Sequence, residues 1–262
     1  MNNARFDERL KFLIGEFQTV LQFVDATSPI VVSPNSSAIV VTSSDVVIAS
    51  SADFTNFDFK NESAVAARGG PVAKFGATAI YAGYESLPPL NKNPILVSFT
   101  DGRLDWVRRD YETSVDESMA YGLFFDDTNL FAVFTSRGLE ESSNYDFRRF
   151  AKYGWLSEYG EGEGNQIAVI AKIDSTNGEI LAATFLSARQ VSGETNSLVV
   201  TGLKMNGQNL VVSAKCWYSP RRTSRQPMDQ KLSADNSPFD YEIEFTPNLR
   251  AAVRTEAPGF GQ

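Results

Sequence analysis

The sequence contains no histidine and only one cysteine, Cys216. Without histidine no side chain has an ordinary pKa near neutrality, so neither a Ser-His-Asp nor a Cys-His pair can be assembled. The usual nitrogen ligand of zinc, copper and non-haem iron is missing for the same reason. One thiol cannot close an intrachain disulfide, a thiolate metal site or an iron-sulfur cluster. Cys216 lies in an apolar strand pattern and is expected to be a buried small hydrophobe. No apolar run approaches the roughly 20 residues of a membrane helix, and no basic-then-apolar leader opens the sequence. The expectation is a soluble protein without a membrane span, cytoplasmic or part of a particle. A Walker A loop is also lacking. Gly160-Glu-Gly-Glu-Gly164 has closely spaced glycines, but its carboxylates would repel a phosphate. No cofactor and no metal is expected.

Positive charge is in deficit, with 24 basic residues against 32 acidic and a net charge of -8. That balance argues against unspecific attraction to nucleic acid or an anionic membrane surface. What is present is apolar residue in short runs. Hydrophobic residues make up 42% of 262 positions, enough to bury a large β-rich core.

Near the start Phe6, Leu10, Leu13, Phe17, Leu21 and Val24 recur at spacings of three and four, which predicts an amphipathic helix over 1–28 ended by Ser28-Pro29. Its polar positions mix both charge signs, unlike interfacial helices rich in Lys and Arg. Residues 29–262 form the second region and read as all-β. Ile167-Ala-Val-Ile-Ala-Lys-Ile173, a polar turn, and Ile180-Leu-Ala-Ala-Thr-Phe185 predict one hairpin. Leu198-Val-Val-Thr-Gly-Leu203, Asn206-Gly207 and Leu210-Val-Val-Ser-Ala-Lys-Cys216 predict another. The second kind of hairpin recurs from Ala38, Met119 and Leu198, and the first kind from Ile95, Ile167 and Tyr241. Three units of four antiparallel strands are implied.

Because the series begins with the second kind and ends with the first, joining the strands at 241–254 to those at 38–52 would complete a unit. The Asp101-Gly102-Arg-Leu104-Asp-Trp106 stretch, and Asp174 to Gly178 followed by Ile180-Leu181, resemble bacterial β-propeller repeats of the SBBP and PQQ-like type. The match is partial, since Thr246-Pro-Asn248 replaces the glycine turn in the last unit and only one unit keeps Trp. The resemblance implies a propeller-like scaffold rather than an activity. Three units fall short of the usual four to eight blades. Extra strands in the inserts, such as Lys74 to Tyr81, or a second chain completing a six-bladed ring, would supply the difference.

Two segments are candidate recognition surfaces. Trp217, Tyr218, Arg221, Arg222 and Arg225 lie in a proline-bracketed stretch, expected to be irregular, that could grip phosphate, carboxylate or an acidic partner. Phe147, Arg148, Arg149 and Trp155 belong to the second, an aromatic-basic run. The expected function is that of a non-enzymatic structural or interaction protein, a subunit binding other protein chains or itself, such as a virion or tail component. The alternative is a carbohydrate-binding or carbohydrate-cleaving domain. Its carboxylates would come from Asp101, Asp105, Asp116, Glu117, Glu158 and Asp174, about 5 to 9 Å apart, with Trp106, Trp155 and Tyr159 as stacking platforms. A cation held by Glu158, Glu161 and Glu163 matches no EF-hand spacing.

Overall fold

The computed structural model describes residues 48–88, 91–137, 143–158, 166–190, 192–230 and 237–261. All belong to the second of two units, Ser37–Gln262. The predicted helix over 1–28 lies outside the described residues. So do Tyr159, Glu161 and Glu163.

The described chain is β throughout, apart from short helices at Glu62–Ala66 and Arg148–Ala151. The strands are β1 (Ala52–Asp53), β2 (Val72–Phe75), β3 (Thr78–Leu87), β4 (Asn91–Thr100), β5 (Arg103–Arg108), β6 (Ala120–Phe125), β7 (Leu130–Ser136), β8 (Ile167–Ile173) and β9 (Ile180–Leu186). They continue with β10 (Ala188–Arg189), β11 (Thr195–Asn196), β12 (Leu198–Asn206), β13 (Asn209–Cys216), β14 (Asp229–Gln230), β15 (Phe239–Phe245), β16 (Ala252–Glu256) and β17 (Phe260–Gly261). Three larger sheets result. Sheet 1 has the order β1-β3-β4-β5 with β2 also on β3, sheet 2 is β6-β7-β8-β9, and sheet 3 is β12-β13-β15-β16. None of these sheets closes into a barrel.

Turn chemistry sets the hairpins. Asp101 and Gly102 both have positive φ, 50° and 75°, the signature of a type I′ turn between β4 and β5. Gly207, at φ 60°, opens the two-residue loop between β12 and β13, where the sequence predicts it.

The first-kind hairpins are β4-β5, β8-β9 and β15-β16, and each joins the strands that precede it in sequence. Residues 38–47 of the expected closure across the chain ends lie outside the described residues. β15 pairs with β13 and β16, while the described part of 38–52 goes elsewhere: Ile48 bridges Gly122, and β1 runs parallel to β3. The hairpin that completes sheet 1 is β2-β3, from the expected insert. β3 is ten residues long and pairs with β4 in continuous register from Thr78↔Thr100 to Leu87↔Asn91.

The repetition is deeper than the sequence pattern. β6 and β12 each carry a bulge, at Tyr121 and Thr201, followed in both by Gly-Leu. β5, β9 and β16 each carry one extra residue at the equivalent point, Asp105, Leu181 and Val253. An extra residue re-aims the side chain and twists the edge, so all three sheets end in the same blunted strand.

The sheets stack in chain order. Leu130, Ala132 and Phe134 of β7 face sheet 1 with Ile80 and Leu96, whereas Phe131 and Val133 face sheet 3 with Val200, Val212 and Ile243. Sheet 2 is thus buried on both faces, which is why β7 and β8 read as continuous apolar runs. The outer face of sheet 1 is covered by Phe54, Phe57, Phe59 and Val65. Across sheet 3 a layer of ion pairs meets solvent, Lys215–Asp240 at 2.7 Å, Lys204–Glu242 at 2.9 Å and Arg254–Glu244 at 3.3 Å. An apolar cap ends the stack on one side and a charged face ends it on the other.

Candidate functional site

The arginine stretch is a tight hairpin rather than an irregular loop. Arg221 bridges Pro227, the Arg222 N–H donates to Gln226 O at 2.8 Å, and Arg225 N–H to Arg222 O at 2.8 Å. Arg225 takes φ 73° at the turn. Met228 N–H donates to Pro220 O at 2.8 Å within the hairpin, and two contacts tie it down: Trp155 Nε1 donates to Thr223 O at 2.8 Å and Tyr241 Oη to Arg221 O at 2.7 Å.

The arginines have separate roles. Arg221 is only 5% exposed, and its Nε and Nη2 donate to Ser187 Oγ at 3.2 and 3.0 Å, its Nη1 to Arg225 O at 3.0 Å. Burial, and then the neighbouring Arg189 cation, push its pKa down to about 10. Arg222 pairs with Asp229 at 2.7 Å and reaches Pro227 O at 2.9 Å. Arg225 and Tyr218 are exposed, and Trp217 packs half-buried against the core between sheets 2 and 3. Of the five candidates, only Arg225 and Tyr218 project into solvent. Cys216, beneath them, is fully buried, and burial pushes its thiol up and out of reach as a nucleophile.

The aromatic-basic segment fastens sheets together. Phe147 is fully buried against Phe134, with ring centroids 5.0 Å apart. Arg148 Nε donates to buried Asp146 at 2.8 Å, and Arg149 reaches the carbonyls of Asp146 and Asp110 with its guanidinium over the Phe150 ring. Trp155 stacks edge-on against Phe245, and its backbone N–H donates to Leu249 O at 2.7 Å. These four residues face inward or pair locally. The segment instead exposes Tyr145 and Tyr153, the latter 65% exposed beside Arg250.

The carboxylates proposed for sugar chemistry are dispersed in structural tasks. Asp101 and Asp174 shape turns, Asp174 accepting from Thr176 N–H at 2.9 Å. Asp105 accepts from Ser98 and Thr100, and Glu117 pairs with Lys92 and Arg137. Trp106 Nε1 donates to Ser175 O at 3.2 Å, docking sheet 1 on a turn of sheet 2. Glu158 lies exposed. A shallow open depression of about 260 Å³ on the charged face of sheet 3, lined by Ser213, Asp240, Glu242 and Glu256, is small for a ligand cleft. Among the described residues no group of three or more Cys, Asp or Glu is arranged to hold a metal ion.

One electrostatic feature was not legible in the sequence. Glu112 is fully buried, its Oε1 accepting from the Ser114 N–H at 2.9 Å while Oε2 has no partner. Burial, with Asp146 and Asp116 nearby, pushes its pKa up to about 7. Its neighbours in sequence, Tyr-Glu-Thr-Ser, look like any polar loop.

No protein-family model matches the chain, and no curated protein matches it. No helix among the described residues is long and apolar enough to cross a membrane.

Proposed function

We propose that this protein is a non-enzymatic interaction module that assembles with copies of itself as a subunit of a larger structure. The observation that carries the reading is the recurrence of exposed aliphatic residues at one repeat position. Leu181, 60% exposed, and Val253, 51% exposed, occupy the same bulge on the outer strands of sheets 2 and 3. Tyr153 stands exposed on the connector that docks sheet 2 against sheet 3. A side chain turned out by a bulge does nothing for its own core. Apolar side chains presented on strands, and an exposed aromatic with Arg250 over its ring, are residue types enriched at interface centres.

The residues first singled out for binding support a different part of this reading. Arg221, Phe147 and Trp155 hold the sheets in register, leaving Arg225 and Tyr218 as contact residues on the hairpin. We read each sheet as a blade-like repeat, as the SBBP-like resemblance implies. A ring completed by further blades would have to bury the ion-paired face of sheet 3, at a large desolvation cost. We therefore take the three-sheet stack itself as the assembling unit. Its test is the solution mass of the chain with and without charge at Leu181 and Val253.

A further inference from the structure

We propose that Ser187, Arg189, Ser219 and Arg221 form a binding site for a phosphate-class oxyanion. Arg189 and Ser219 face each other across an antiparallel bridge, with the Arg189 N–H donating to Ser219 O at 2.9 Å. Two residues further along, Ser187 stands opposite Arg221, and their side chains meet through Nε and Nη2. Alternate residues of an extended strand share a face. Ser187-Ala-Arg189 and Ser219-Pro-Arg221 therefore run antiparallel as two Ser-x-Arg stretches, each arginine opposite the other stretch's serine.

Among the described residues no carboxylate pairs with the charge on this face. Arg221 donates to Ser187 O, Ser187 Oγ and Arg225 O, all neutral oxygens, and Arg189 Nε donates to Gly193 O at 2.9 Å. Neither guanidinium forms an ion pair with a carboxylate among the described residues, although the two cations are near enough to repel. The bonds of Arg221 use one hydrogen on each nitrogen, so the second hydrogens of Nη1 and Nη2 remain for another acceptor. A buried cation without a counter-charge is costly, and Arg221, 5% exposed, has none among the described residues. Guanidinium forks with flanking hydroxyls suit a tetrahedral oxyanion, since each fork can give two parallel N–H donors and a serine can rotate to donate.

The test is thermal melting of the full chain as inorganic phosphate replaces chloride at fixed ionic strength, with equilibrium dialysis of labelled phosphate as the direct measurement. A saturable rise in Tm and one phosphate bound per chain are expected. Arg189→Gln should weaken binding about tenfold or more, as loss of a charged donor does, while Arg225→Gln should leave it unchanged. A glycerol phosphate arm assigns the source: binding shows that an esterified phosphate enters, and its absence with phosphate bound assigns the site to the free ion. Equal Tm in phosphate and chloride with no dialysis signal would overturn the proposal. So would full binding by Arg189→Gln, or acetate acting as strongly as phosphate.

Discussion

The Val200 backbone N–H donates to the Tyr121 hydroxyl at 3.1 Å, joining the bulged edge strand of sheet 3 to the bulged edge strand of sheet 2. The donor precedes the extra residue of β12 and the acceptor is the extra residue of β6. The bulges that mark the repeat therefore also couple successive sheets. Tyr121→Phe would leave the Val200 N–H buried without an acceptor. Equilibrium denaturation should show a loss of about 1–3 kcal/mol with an unchanged m-value.

Gly178 sits at φ 76° in the turn between β8 and β9, and a Cβ there would lie 2.6 Å from Arg108 Cγ and 2.7 Å from the Trp106 ring. Its carbonyl accepts from Tyr111 Oη at 2.7 Å. Gly178→Ala should cost about 2 kcal/mol or more, from left-handed strain and from displacement of sheet 1. Trp106 fluorescence should shift with it. A stability change under about 0.5 kcal/mol, the range of ordinary surface substitutions, would show that this docking is loose.

Arg221 and Arg225 should separate sharply. Arg225→Glu acts in solvent and is expected within about 0.5 kcal/mol of the parent. Arg221→Glu would set a carboxylate among the oxygens of Ser187 and Arg225, and should cost about 3 kcal/mol or more. The two melting curves, measured side by side, distinguish an anchoring arginine from a presented one.

Glu112 gives the protein a pH dependence of definite sign. Its folded-state pKa, about 7, stands above the ordinary carboxyl value because burial disfavours the charge. The folded state therefore keeps a proton that the unfolded chain releases at lower pH. Stability is greatest below the unfolded value, falls as pH rises toward about 7, and is level above it. The loss amounts to about 3 kcal/mol across that window. Glu112→Gln should match the parent near pH ~4 and exceed it near pH ~8. Parallel stability curves for the two proteins would contradict the assignment.

The hairpins were legible where turn residues flank apolar runs, as at Asp101-Gly102 and Asn206-Gly207. Strand partners were less so. The β2-β3 hairpin has only Gly76-Ala77 between its strands, so Lys74 to Tyr81 reads as one strand in an insert rather than as a turn and two strands. Arginine density at 221–225 suggested a presented surface because sequence spacing shows charge and hides acceptors. The Ser187 oxygens that take Arg221 inward lie 34 residues away. Likewise the connector at 147–155 looked like a recognition surface, and its Phe147 and Trp155 proved to fill the seams on either side of sheet 2 while Tyr153 stays exposed.

Self-association through the bulge-exposed residues is the central claim, and multi-angle light scattering of the full chain tests it most directly. The parent should run at a multiple of the monomer mass, and a Leu181→Glu, Val253→Glu double variant should run as monomer with its Tm retained, because both side chains are more than half exposed. A parent that is monomeric across the accessible concentration range, or a double variant of unchanged oligomeric mass, would contradict the account.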